Sequence, residues 1–349
     1  MRSSLQRVLL GFALAGCSLI GDPGGMPEGV PHGGVGEFRV LTTDEAGIQG
    51  SLPGRAMFLR DQAIEASMRV GDRLAYAVRA RVDMPPEVPA DYPANEVFLP
   101  AFGPRTIQLG TLREEGTGAF DAGPDILVAS EAWEGTDVFD PWILLDEDGT
   151  AHLYYAAEGG IGVAVAPSLD GTFAKRPGPI VEPTVVGRVV RHPSVVRGPD
   201  GDYLMYYDDG ADLALARSTD GETFTLSGPL SISGDDDMAD NAEARRAYPG
   251  AVRVDTRAGR TLIRVYFQSF RDDGTTRIYM IGSDDGETFM RYPRPVMAQD
   301  DVRFVAPYLV DDRITFMYSN FAFFNRGYQT RAVTIAVAPG GVTYEPPPM

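Results

Sequence analysis

The 349-residue chain carries 31 Lys and Arg against 49 Asp and Glu, a formal charge of −18, which argues against sequence-independent nucleic-acid binding and against electrostatic docking on anionic lipid. A 23% charged fraction beside a 44% hydrophobic fraction is that of a folded globule, and the single cysteine excludes an intramolecular disulfide framework or a multi-cysteine metal site. Forty glycines and 27 prolines, with 17 Phe and 15 Tyr, favour many short strands joined by tight turns.

At the start of the chain, Arg2 and Arg7 flank a polar stretch, and Val8 to Ala15 is an apolar run too short to span a bilayer. A basic region, an apolar region and small residues in that order predict a secretory signal over residues 1–16. The segment Leu14-Ala15-Gly16-Cys17 resembles the lipobox of bacterial lipoproteins. That resemblance implies lipidation of Cys17 and, with Ser18 rather than Asp behind it, an address at the outer membrane. Contact with the membrane is then through the lipid anchor only. Residues 17–36 are rich in Gly and Pro and predict a tether, leaving 37–349 as one folded domain, expected to be a monomer.

The body of the chain repeats. Strand starts read FDPWILLDEDG (139–149), RHPSVVRGPDG (191–201), YPGAVRVDTRAG (248–259) and APYLVDDR (306–313). Their prolines, 141, 193, 249 and 307, are spaced by 52, 56 and 58 residues. Second strands follow in HLYYAAEG, YLMYYDDG, LIRVYFQS and ITFMYSNF, and third strands in IGVAVAPS, LALARSTD, RIYMIGSD and AVTIAVAP. A fainter copy without the proline lies upstream, from LRDQAIEASMRVGD (59–72) to GAFDAG (118–123), interrupted by MPPEVPADYP (84–93). The hairpins SLDGTF, STDGETF and SDDGETF recur once per unit, where Asp-Gly supplies a tight turn; that recurrence marks them as structural. Asp235 to Arg246 is the one stretch that could form a turn or two of helix.

Four-stranded antiparallel units of this length, repeated radially, are the blades of a β-propeller. The prediction is an all-β fold, a five-bladed β-propeller with almost no room for a sixth blade. Asp-Pro at a strand start and S-x-D-G in the hairpins resemble the propeller glycosidases of arabinanase, xylosidase, levanase and invertase type, over about residues 55 to 349. The hairpin also resembles the Asp-box of sialidases, which have six blades and a Tyr nucleophile and so rank lower.

In a propeller the residues just before the strand-start prolines converge on one axial cavity. Here they are Asp140, His192, Tyr248 and Ala306, with Gln62 in the first unit and Asp61 beside it. Glycoside hydrolysis needs two carboxylates flanking the bond. The resemblance implies an aspartate at a first-blade strand start, a tuning aspartate in a motif like Arg-Asp-Pro, and a glutamate two residues before a later proline. Asp140 and Asp61 are the candidates for the first; Arg191-His192-Pro193 has His in the second frame; Ala247 stands at the third. Glu243, in the acidic insertion before that proline, is the substitute acid to consider. His192 lacks neighbouring ligands for a metal, so no metal or cofactor is expected. Arg60, Arg191, Arg246 and Arg303 lie near strand starts, where they either attract an acidic sugar or pair with neighbouring carboxylates. Trp142 and Trp133 are candidate sugar platforms or wedges between blades. The expected function is carbohydrate binding in the funnel with degenerate or atypical catalytic residues. Its alternative is an active glycosidase of arabinan, xylan or fructan using Asp140 or Asp61 with Glu243; a sialidase-like enzyme and a scaffold rank below.

Overall fold

The structure is a computed structural model that describes residues 39–40, 55–56, 62–70, 73–80, 105–112, 120–234, 243–255, 261–271, 276–292, 295–297, 302–310, 313–324 and 328–337. The leader, Cys17, the tether and the insert at 84–93 lie outside them.

Most of the described residues are strand. β1 (Arg39–Val40) and β2 (Arg55–Ala56) are short; β3 (Gln62–Val70), β4 (Arg73–Ala80), β5 (Ile107–Leu112) and β6 (Phe120–Leu127) follow. β7 (Val138–Leu145), β8 (Ala151–Ala157), β9 (Gly160–Ala166) and β10 (Ala174–Lys175) form an antiparallel meander. So do β11 (Arg191–Arg197), β12 (Tyr203–Asp208), β13 (Leu213–Ser218) and β14 (Thr225–Pro229). β15 (Ser231–Ser233) then pairs in parallel with the last strand of the next meander, β16 (Glu243–Asp255), β17 (Thr261–Arg271), β18 (Thr276–Ser283) and β19 (Thr288–Arg291). β20 (Val302–Val310), β21 (Arg313–Phe324) and β22 (Tyr328–Val337) complete the chain. Among the described residues no α-helix occurs, and only Ala132–Glu134 makes a 3-10 turn. The helical turn considered for Asp235 to Arg246 is not seen where it can be read: Glu243 to Arg246 open strand β16.

The first strands adjoin in chain order. β3 lies beside β7, β7 beside β11, β11 beside β16, β16 beside β20, and β20 returns to β3. A second contact links the chain's beginning to its end, because β1 and β2 both pair antiparallel with β22, Arg39 opposite Val337 and Arg55 opposite Thr334. The second strands explain the packing. Every residue of β8 and of β12 is buried, which an alternating strand with one wet face could not achieve. Both faces are covered by neighbouring sheets, so AHLYYAA and YLMYYD read as continuous apolar runs.

The Ser-x-Asp-Gly hairpins hold one sheet to the next. Ser218 Oγ accepts the backbone N–H of Gly221 at 2.9 Å, and Asp220 Oδ1 accepts those of Glu222 and Thr223 at 2.8 and 2.7 Å. Those N–H donors, Glu222 first, hold the Asp220 carboxyl down at about 2. The turn presents the Gly221 carbonyl to the Tyr154 hydroxyl of β8, 3.0 Å away, and sets Phe224 edge-on to the Tyr154 ring. The arrangement recurs one sheet on. Ser283 and Asp285 make the same bonds, the Gly286 carbonyl accepts the Tyr206 hydroxyl at 2.8 Å, and Phe289 stands edge-on to Tyr206. Glycine is required here: Gly286 has φ of 79°, and an added Cβ would come within 2.4 Å of the fully buried Leu204 side chain.

Candidate functional site

The site begins in the backbone. Three first strands carry a two-residue bulge against one residue of the second strand. Asp140-Pro141 lies between the pairs Phe139–Ala156 and Trp142–Tyr154, and His192-Pro193 between Arg191–Asp208 and Ser194–Tyr206. Tyr248-Pro249 lies between Ala247–Gln268 and Gly250–Tyr266. The leading residue of each bulge is left-handed, with φ of 48°, 54° and 55° for Asp140, His192 and Tyr248. Among the described residues these are the only non-glycine positions with positive φ. Such a backbone costs a side-chain-bearing residue roughly 1–2 kcal/mol and is normally filled by glycine. An aspartate, a histidine and a tyrosine stand there instead. Three left-handed positions filled by polar or aromatic side chains instead of glycine single out a candidate site.

The bulges aim the three side chains together. Asp140 is 3% exposed, and its Oδ2 lies 3.0 Å from His192 Nδ1 and accepts the Arg191 Nε–H at 3.2 Å. Its Oδ1 is buried with no hydrogen-bond partner. The His192 ring in turn lies 3.9 Å from that of Tyr248, centre to centre. Burial alone would raise the Asp140 carboxyl, but His192 and Arg191 beside it, with Arg105 behind them, outweigh it and hold the group well below the usual carboxylate range. Asp140 is therefore an ionised acceptor at neutral pH, suited to accept hydrogen bonds from hydroxyls and unsuited to give a proton. Arg105 and Arg191 both lie over the Phe139 ring, at 3.9 and 4.5 Å, and Arg105 is further held by Asp137. Neither Arg105 nor Phe139 stands out in the sequence, because what recruits them is their contact with each other.

For the tryptophans and Arg246 the structure chooses between the alternatives, and for Gln62 and Ala306 it corrects the position. Trp142 is no platform: it is buried, and its indole N–H donates to the Val195 carbonyl at 2.8 Å, pinning β7 to β11. Trp133 packs against Tyr155. Arg246 is engaged by both oxygens of Asp212, at 2.7 and 2.5 Å, so it pairs with a carboxylate of the preceding sheet, as Arg245 does with Asp208. The positions given to Gln62 and Ala306 are displaced. Gln62 pairs regularly with Ala80, and the bulge of β3 falls at Glu65. In β20 the bulge spans Phe304 and Val305, because the proline sits two residues later than in the other sheets. Ala247, at the third position, is buried. His152, at the far end of its sheet, faces Asp146 at 3.1 Å. Arg60 and Asp61 lie outside the described residues, as do the side chains of Gln62, Glu243 and Arg303.

No family model matches the sequence. No curated protein matches it either. Solved structures do match, by shape. An exo-1,5-α-L-arabinanase from a bovine ruminal metagenomic library superposes with a TM-score of 0.54 at 12% identity, over 79% of this chain and 94% of that one. A GH43_1 enzyme from Xanthomonas citri, solved with xylotriose, gives 0.52 at 15% over 81% and 88%. The β-1,2-mannobiose phosphorylase of Listeria innocua gives 0.56 at 11% over 85% and 96%.

The fold is that of the propeller glycosidases. The GH43 arabinanases and xylosidases are its structural neighbours. At these identities the likeness is one of architecture, and what the propeller does is decided by its site.

Proposed function

We propose that the chain is a lipid-anchored envelope protein whose five-bladed propeller binds carbohydrate in the axial funnel, with catalytic residues that depart from those of the glycosidases. The closed order of the first strands, β3 through β20 and back, supports five blades. The observation that carries the reading is the left-handed trio Asp140, His192 and Tyr248, three strained side chains from three sheets that meet in one cluster. Neighbours solved with xylotriose or arabinohexaose use this architecture to hold sugars. The Asp140 carboxylate, kept ionised, accepts sugar hydroxyls. Leu14-Ala15-Gly16-Cys17 supports the anchor, and residues 17–36 would carry the domain clear of the outer membrane. A glycan array followed by calorimetry on arabinan, xylan, fructan and mannan fragments tests the reading. Binding that falls about ten-fold or more in Asp140→Asn is expected, a charge-assisted hydrogen bond being worth about 1.5–3 kcal/mol. Absence of binding to any saccharide would falsify it.

The hydrolase neighbours favour one second reading, an active glycosidase. Asp140, or Asp61 in its place, would then act with Glu243, which would supply the proton because the charge state of Asp140 forbids the acid role. Release of reducing sugar by the wild type, abolished in Asp140→Ala, separates enzyme from binder.

A further inference from the structure

The chain joins the propeller from one end, and the Asp140 cluster lies at the other. Neighbouring first strands run the same way, since their starts meet and their ends meet. Asp140 of β7 meets His192 of β11, whose ring lies against that of Tyr248 in β16. Further along, Arg197 closes β11 and reaches Asp146, just past β7, at 2.8 Å. Arg253 of β16 donates to the Gly198 carbonyl, just past β11, at 3.1 Å. β20 continues the ring beside β16, with its bulge in the first half of the strand, between the pairs Arg303–Ser319 and Ala306–Met317. That level corresponds to Thr334 of β22, because Met317, Tyr318 and Ser319 pair with Ile335, Thr334 and Val333. β1 pairs lower down. Arg39 lies opposite Val337, the last residue of β22, which is 337 − 334 = 3 residues, or about 10 Å, past the bulge and away from the site. Being antiparallel to β22, β1 runs from the far end towards the site. The chain thus enters β1 from the end that bears the exposed turn residues Glu147, Asp148 and Asp200.

We infer that the funnel opens away from the bilayer that holds the anchor, so that the site takes saccharides presented from beyond the protein and not the headgroup sugars of its own membrane. The inference rests on the anchor and carbohydrate readings above. From Cys17 to Arg39 the chain takes 39 − 17 = 22 steps, which cannot stretch past about 80 Å and, being rich in Gly and Pro, span roughly 25 Å on average. A folded domain of residues 37–349 has a radius of gyration of about 20 Å, so a path over it from one end to the other measures about 80 Å. Turning the site to its own bilayer would use the whole reach of that segment, far from its average span. The acidic turns at the entering end repel anionic headgroups and hold that end off the surface without turning the domain over.

The test is energy transfer from the full chain, lipidated at Cys17 and seated in vesicles, to an acceptor lipid. One donor dye goes on Val186→Cys, in the fully exposed turn Val185–Arg188, which packs on Gly210 beside Asp208, the partner of Arg191 in register. The other goes on Glu147→Cys, exposed in the turn between β7 and β8 at the opposite end. A lipidated Cys17 offers no competing thiol, and melts check that both surface variants fold. Transfer should be at least about two-fold more efficient from the Glu147 position, since the two ends lie a strand's length, about 25 Å, apart. Equal transfer, or more from the Val186 position, overturns the proposal. In a second arm, vesicles bearing the lipidated wild type should cluster with vesicles that display a glycolipid whose headgroup it binds. The same glycolipid placed in the protein's own vesicles should leave that clustering unchanged, and loss of clustering overturns the proposal. A chain recovered without lipid on Cys17 fails the anchor reading and takes the proposal with it. A chain that binds no saccharide fails the carbohydrate reading, and the transfer result, which needs no sugar, tells that failure from a failure of orientation.

Discussion

Alternate residues of β17 build two chemically unlike faces. Ile263, Val265 and Phe267 pack with Leu204, Tyr206 and Leu215 of the β11–β14 sheet, an apolar seam fastened by the Tyr206 hydroxyl on the Gly286 carbonyl. Arg264, Tyr266 and Gln268 point the other way, where β20 lies, and are just as buried. Burial there pushes the Arg264 guanidinium down and the Tyr266 phenol up. Equal burial thus conceals unequal purpose. One face serves cohesion, while the other keeps polar groups out of water.

Substitutions on the two faces should separate these roles. The largest effect is expected from Phe267→Ala, about 3–5 kcal/mol lost in chemical denaturation, whereas Gln268→Leu one residue away should cost nothing. If both prove equally destabilising, the contrast collapses. Next, Gly286→Ala forces a Cβ against Leu204 at a left-handed position and should cost roughly 2–4 kcal/mol, while Gly149→Ala, left-handed with open space around it, should cost only the backbone strain of about 1–2 kcal/mol. Tyr206→Phe removes the fastening hydroxyl and leaves a buried carbonyl unpaired, for about 1–3 kcal/mol. The smallest effect belongs to Asp220. Its folded-state carboxyl sits at about 2, below its ordinary 3.8, so its contribution is complete above that ordinary value and disappears as pH falls towards 2. Melts between pH 5 and pH 2 should therefore fall less steeply in Asp220→Asn than in the wild type (roughly the window that linkage assigns to one such carboxylate).

Much of the architecture could be read from residue order. The prolines at 141, 193 and 249 marked the bulges because in those three strands proline directly follows the left-handed residue. Where that coupling breaks, reading fails. At Gln62 there is no proline, and at Ala306 the proline stands two residues late, so the bulge is fixed by pairing with the next strand. Side-chain roles were legible unevenly. Trp142 was open to either assignment because both faces of a propeller strand are covered, and only the position of the Val195 carbonyl settles which neighbour takes its N–H. A carboxylate partner was one of two expectations for Arg246, but which one could not be read, because Asp212 lies on another sheet.

The pairing of β1 and β2 onto β22 has a mechanical consequence. These ladders are two residues long, and they join the leading segment to the final strand. Any pull arriving from the amino end reaches those few bonds before it reaches a sheet interior. The clasp that shuts the circle is then also the first link to feel tension, and stretching the molecule from that end should peel it open there while the Asp140 cluster is still intact.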